Sequence, residues 1–162
     1  VIGITKAYCT RVGSGPFPTE LENDEGQKLR DIGKEYGATT GRPRRCGWMD
    51  LIALQYACMI DGVTKIVMTK SDVLDEFEEL KICTAYNVDG NETTEMPFRL
   101  DKVNLEPVYK CFSGWHTNIS AIKSFDELPQ KMKTYISFIN EFLGVDVKFI
   151  SNGPEREQLI IV

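Results

Sequence analysis

The chain has 162 residues, of which 42% are hydrophobic and 27% charged, with a formal net charge of −5. That length suits one domain or part of a larger one, and the balance leaves enough apolar side chain for a core and excludes gross disorder. The acidic excess argues against a broad nucleic-acid footprint, and no apolar run approaches membrane-spanning length.

In chain order, Val1 to Tyr8 predicts a strand that enters a loop, Arg11 to Thr19, where Gly13, Gly15, Pro16 and Pro18 forbid regular structure. Asp24 to Tyr36 predicts a helix with Leu29 and Ile32 on one face and Gly37 as its stop. Trp48 to Ile60 predicts a buried helix through Leu51, Ile52, Leu54, Ala57 and Cys58. Asp61-Gly62 ends it, and Val63 to Thr69 follows as a strand. Lys81 to Val88 and Glu95 to Leu100 flank Asp89-Gly90-Asn91, which signals a hairpin. Met132, Tyr135, Ile136, Ile139, Phe142 and Leu143 keep helical spacing, and Gly144 suits the helix end. Val145 to Ile150 is then a strand that opens into the turn Ser151–Pro154. These elements predict an α/β fold, a mixed sheet with helices and an inserted antiparallel hairpin region. The strand ends at Thr69 and Ile150 are expected side by side in a parallel sheet, with a base-binding pocket between their loops.

Five cysteines, Cys9, Cys46, Cys58, Cys83 and Cys111, are odd in number and form no CxxC pair. That argues against a zinc site and for reduced thiols acting as small hydrophobes, with a cytoplasmic location as the simplest fit. The acidic cluster Asp72, Asp75, Glu76, Glu78 and Glu79 lacks the glycine-centred spacing of a calcium loop and reads as a solvated helical face. His116 is the only histidine. No motif places it in a catalytic constellation, so it reads as a loop residue. Trp48 and Trp115 read as packing anchors.

Two stretches carry chemistry. Thr39-Thr40-Gly41-Arg42-Pro43-Arg44-Arg45 is a short arginine-rich loop. An arginine's planar fork of donors matches carboxylate and phosphate oxygens, and Gly41 permits a tight turn. Thr69-Lys70-Ser71-Asp72 closes an apolar run, Ile66-Val67-Met68. An Asp there can accept from the ring N–H and exocyclic amine of guanine while the Lys stem lies along the base. Taken alone, the arginine run is a solvated basic loop, and Lys70 and Asp72 are ordinary charges at a strand end. Together they suggest a nucleotide-using enzyme.

The pieces Lys6-Ala7-Tyr8, Thr10 to Glu20 (TRVGSGPFPTE), Thr39 to Trp48 (TTGRPRRCGW), Thr69 to Leu74 (TKSDVL), Pro107-Val108-Tyr109, Gly114-Trp115 and Ile150 to Pro154 (ISNGP) stand in this order along the chain. In their order and spacing they resemble the C-terminal part of adenylosuccinate synthetase. The resemblance covers essentially the whole chain. It implies a fold similar to the P-loop GTPases and a GTP-dependent ligase that joins IMP and L-aspartate into adenylosuccinate. It implies that Val12, Ala38, Thr39, Thr40, Gly41, Arg42, Pro43 and Arg44 serve the aspartate and IMP side. It also implies that Arg44, Lys70, Ser71, Asp72, Ser151, Asn152 and Gly153 serve GTP. No glycine-rich phosphate loop occurs in this sequence. Residues 1–162 are therefore expected to be the C-terminal portion of such an enzyme, inactive alone. The catalytic residues and Mg2+ ligands are expected in an absent N-terminal portion, and the complete enzyme is expected to be a homodimer. Two other readings stand beside this one. One is a stand-alone guanine-nucleotide binding module, and the other a nucleic-acid module built on Arg42–Arg45, which the acidic balance disfavours.

Overall fold

The structure, a computed structural model, describes residues 1–162. In chain order the strands and helices are β1 (Ile2–Lys6), β2 (Cys9–Arg11), α1 (Asp24–Ile32), β3 (Arg45–Gly47), β4 (Met49–Asp50), α2 (Leu51–Asp61) and β5 (Lys65–Thr69). They continue with β6 (Glu79–Val88), β7 (Asn91–Thr93), β8 (Leu105–Ser113), α3 (Gln130–Leu143), β9 (Asp146–Ser151) and β10 (Leu159–Ile161). The fold is mixed α/β, as expected, and it divides into two compact units.

The first unit comprises Val1–Ala7, Leu54–Leu80 and Cys111–Val162. Its sheet has the order β1-β5-β9-β10. β5 pairs with β1 and with β9 in parallel, and β10 closes the sheet antiparallel to β9. Met68 lies opposite Ile150, so the strand ends at Thr69 and Ile150 are neighbours, as the sequence suggested. α3 packs on β9. Met132, Tyr135, Ile136, Ile139 and Leu143 are its buried face, at the three- and four-residue spacing that keeps side chains on one side of a helix. Each such side chain contributes roughly 1.5–3 kcal/mol when fully buried. Gly144 ends the helix in the left-handed region at φ 65°, its N–H donating to the Asn140 carbonyl. The Asn140 side chain then accepts from Val147 N at 2.8 Å and ties the helix end to the strand it feeds.

The second unit comprises Tyr8–Ala53 and Lys81–Lys110. α1 starts at an Asn23 cap that accepts from Gly26 N, and it buries Leu29 completely. The helix stops at Ile32, four residues before the expected end. Gly33 sits against Tyr8, where a Cβ would lie 2.2 Å from the phenol oxygen, and Lys34 turns the chain at φ 51°. That turn sends Glu35 inward instead of extending the helix. β2 and β3 form an antiparallel pair with Arg11 opposite Arg45. Neither strand was expected, because three-residue strands carry too little alternation to stand out. Gly47 lets the chain pass close by, since a Cβ there would meet the Thr19 carbonyl oxygen at 2.1 Å.

The expected helix over Trp48–Ile60 begins three residues late. Trp48 is a buried anchor, β4 pairs in parallel with β6, and Asp50 caps α2 by accepting from Ala53 N at 3.1 Å. Leu51 and Ile52 are buried, whereas Tyr56, Met59 and Ile60 are exposed, so α2 is not a buried helix throughout. The hairpin turn forms at Asp89-Gly90, with φ 50° and 88°, and Val88 pairs with Asn91. A two-residue turn brings the return strand in at once, so β7 is Asn91–Thr93 and not Glu95–Leu100. β8 also pairs with β6.

Candidate functional site

The end of β5 is a strained corner. Lys70 takes the left-handed conformation at φ 59°, unusual for a residue with a side chain. One 3-10 turn, Ser71–Leu74, follows. Ser71 is fully buried and its hydroxyl oxygen has no hydrogen-bond partner. Asp72 is half-buried, and desolvation raises its carboxyl above the usual carboxylate range, against the opposing pull of its own backbone N–H and of Lys70.

The neighbouring strand end, β9, delivers the second loop. Ser151 Oγ donates to the Gly153 carbonyl at 3.0 Å. Asn152 is fully buried, and its Nδ2 donates to the carbonyls of Ile119 and Ile122 at 2.6 and 2.9 Å. Its Oδ1 has no partner. The Gln158 amide lies beside Gly153, accepting from Glu155 N and donating to the Ser120 carbonyl. Asp75 accepts from Trp115 Nε1 at 2.7 Å and from Ile119 N at 3.0 Å. Asp75 and Asn152 thus hold the segment 115–122 from both ends. This corrects the expectation of a solvated helical face: Asp75 is half-buried and bonded, and Glu79 begins a strand. Trp115 is buried, as expected of an anchor, and His116 is exposed. Sequence reasoning missed the Asp75 and Asn152 brace, because its two sides meet only through tertiary contacts more than 30 residues apart.

In the second unit the arginine loop leaves a bridge between Tyr36 and Pro43. Gly37 N donates to the Arg42 carbonyl and Gly41 N to the Gly37 carbonyl, both at 2.9 Å, with Gly41 at φ 65°. Ala38, Thr39, Thr40, Gly41, Arg42 and Pro43 are all exposed, as is Val12. Val12 directly follows Arg11, which faces Arg45 in the β2–β3 ladder, so it lies beside the Arg44 end of the loop.

The three arginines differ sharply. Arg45 forms a two-pronged pair with Glu20, its Nε 2.7 Å from Oε1, and Nη1 donates to the carbonyls of Gly13 and Gly15. The bond to Arg45 holds the Glu20 carboxyl below its ordinary range. Arg11 donates to the Ser14 and Pro16 carbonyls, so two guanidiniums shape the loop before Phe17. Arg44 Nη1 donates to Glu35 Oε2 at 2.8 Å, and its Nε is buried without a partner. The Arg42 side chain is exposed and makes no hydrogen bond or ion pair; only its backbone N–H donates, to Thr40 Oγ1.

The structure therefore brings Lys70–Asp72 beside Ser151–Gly153, and Val12 beside Arg44, with the two groups in different compact units. No group of three or more His, Cys, Asp or Glu side chains converges in this chain. No helix is long and apolar enough to cross a membrane.

Comparison with known proteins extends this picture. The sequence pattern of the adenylosuccinate synthetase family matches residues 1–160. The chain is 56% identical over 161 residues to adenylosuccinate synthetase of Azobacteroides pseudotrichonymphae, covering 99% of this chain and 38% of that protein. It is 55% identical to the enzyme of the same name from Parabacteroides distasonis, over the same shares. A solved structure of fully ligated adenylosuccinate synthetase from Plasmodium falciparum matches with a TM-score of 0.94 at 43% identity, over 99% of this chain and 39% of that one. The chain spans about 38% of the length of the curated relatives it matches. With its sequence matched from end to end and its fold matched at that closeness, the chain belongs to the adenylosuccinate synthetase family.

Proposed function

We propose that this chain supplies the aspartate loop and the guanine loops of a GTP-dependent ligase that makes adenylosuccinate. In this reading GTP transfers its γ-phosphoryl group to the 6-oxygen of IMP, leaving GDP. The amine of L-aspartate then attacks carbon 6, the carbon–oxygen bond breaks, and inorganic phosphate leaves. Both steps move negative charge, which arginines and magnesium stabilise. Magnesium, when bound, neutralises phosphate oxygens, and its ligands belong to other parts of the enzyme, as do the acid–base groups. The complete enzyme acts as a homodimer in the cytoplasm.

The observation that carries this reading is the adjacency of Lys70–Asp72 and Ser151–Gly153 at the ends of two paired parallel strands, within a chain matched along its length by the family. Ligands of open α/β sheets lie at such carboxyl ends. Asp72, when ionised, accepts from the ring N–H and amine of guanine, and Lys70 lies along the base. In the second unit Thr39, Thr40 and Arg42 bind the aspartate carboxylates, Arg42 also reaches IMP, and Arg44 reaches toward GTP. The exposure of Ala38 to Pro43 and the uncommitted Arg42 side chain suit that task.

The test is adenylosuccinate formation by the full-length enzyme containing this chain. Product is expected only when IMP, aspartate, GTP and Mg2+ are all present, with GTP strongly preferred to ATP. Guanine-nucleotide binding without product would support the stand-alone binding module instead. No dependence on aspartate or on GTP would overturn the assignment.

A further inference from the structure

We propose that Glu35, itself held by Tyr8, is the positioning residue for Arg44, setting its guanidinium for an anionic group of the substrates. The inference rests on the reading above that Arg44 contacts substrate.

Glu35 is fully buried, where a carboxylate is seldom found unless it is paired and hydrogen-bonded. Its two oxygens face different partners. Oε2 accepts from Arg44 Nη1 at 2.8 Å, and Oε1 accepts from the Tyr8 hydroxyl at 2.6 Å. Tyr8 is buried too, its hydroxyl seated against Gly33 with no room for a Cβ. The backbone repeats the connection: Arg44 N donates to the Glu35 carbonyl at 2.9 Å. The Arg44 carbonyl in turn accepts from Arg30 Nε at 2.8 Å, which fixes it to α1. Arg44 is thus tied to residue 35 through main chain and side chain, and to the helix through its carbonyl.

A buried ion pair contributes little net stability relative to apolar packing, because desolvation offsets the attraction. Its clearer consequence here is orientation. Only one arm of the Arg44 guanidinium is occupied; Nη2 has no partner, and the side chain remains about one-third exposed (35%). An arginine held by one arm keeps the other in a defined direction, so little rotamer freedom is lost when an anion arrives. The neighbouring arginines make the contrast. Arg45 has its donors engaged by Glu20 and two carbonyls, and Arg42 has no side-chain partner. Between a structural arginine and an uncommitted one, Arg44 is the one pre-set by a buried carboxylate.

The experiment is a double-mutant cycle in the full-length enzyme with Glu35→Gln, Arg44→Leu and the pair. Glutamine keeps the size of Glu35 and one acceptor oxygen, but loses the charge and turns an amide N–H toward one of two donors. Glu35→Gln is expected to lower kcat/KM for GTP, the substrate toward which Arg44 reaches, about tenfold or more when Arg44 is present. In the Arg44→Leu background it is expected to change it by less than about twofold, because the residue it acts through is gone. Equal losses in both backgrounds, or no loss with Arg44 present, would show a merely structural Glu35. If Arg44→Leu alone leaves the kinetics unchanged, the substrate role of Arg44 fails. If Arg44→Leu is impaired and the cycle is additive, only the positioning role fails. Should Glu35→Gln not fold, Tyr8→Phe enters the same cycle, removing one hydroxyl and keeping the ring. Its expected loss is about threefold with Arg44 present and none without it; equal losses would again overturn the proposal.

Discussion

In the proposed reading Asp72 and Arg42 divide the recognition work between a half-buried acceptor and an exposed donor, and each implies a different mutational outcome. Asp72→Asn should raise the GTP KM and weaken discrimination against ATP, since paired hydrogen bonds to a charged acceptor are worth about 2–4 kcal/mol. Burial raises the Asp72 carboxyl, so the group favours its protonated form more in the folded protein than in the unfolded chain. The sign follows: its contribution to stability is greatest below the unfolded pKa and is lost as pH rises through the folded one. At neutral pH Asp72 therefore costs stability, and the Asn variant should melt no lower than the parent by differential scanning calorimetry. Guanine reading needs the ionised form, so the GTP KM of the parent should climb as pH falls through the raised pKa, and Asp72→Asn should lack that acid limb. An unchanged GTP KM in the variant would remove Asp72 from the site. Arg42→Leu should depress kcat/KM for aspartate roughly 10²-fold with no thermal shift, because the side chain holds nothing in the fold. Arg42→Lys should not restore it fully, since a point charge cannot form the bidentate contact. Intact aspartate kinetics in Arg42→Leu would show the loop assignment to be wrong.

At the scale of elements, the segment 115–122 is held by side chains from two other loops. Asn152→Ala would leave the part-buried Ile122 carbonyl without its donor and the Ile119 carbonyl with only Ile122 N. The expected cost is about 1–3 kcal/mol in all, read as a lower midpoint in urea denaturation. Since Asn152 lies in the loop beside Ser71 and Asp72, the variant should also raise the GTP KM while leaving the aspartate KM within about twofold. A stability loss with unaltered GTP binding would separate the brace from the base site. The long periodic elements were legible from sequence: α3, its glycine stop, β5 and β9 all stand where their patterns put them. The short ones were not, and neither was the nine-residue β8, a stretch for which no strand was expected. β2, β3, β4 and β10 have two or three residues each, and only pairing partners distant in sequence define them. The end of α1 was misplaced because Gly33 packs on Tyr8, a contact no local pattern encodes.

For the molecule as a whole, residues 1–162 expressed alone should form no adenylosuccinate from IMP, GTP and aspartate with Mg2+. The only histidine is an exposed loop residue, and no glycine-rich loop is present to hold phosphates. Recognition loops cannot replace preplaced acid–base and electrostatic groups. A spectrophotometric assay beside the full-length enzyme decides this, and turnover by the isolated chain near the full-length rate would overturn it.

By itself, the sequence determined the family, the α/β class, the parallel neighbourhood of Thr69 and Ile150, and the positions of the two candidate loops. Those follow from motif order, apolar periodicity and glycine placement, all of which are local in the chain. Only the tertiary structure decided what the charged side chains do. Three arginines within four residues look alike in sequence, yet one is committed to Glu20, one is half-held by Glu35, and one has no side-chain partner. Likewise an aspartate in an acidic run proved to be the acceptor for Trp115 and Ile119. The reason is physical: the role of a charged side chain depends on its partners and its access to water, and both arise only when distant segments meet.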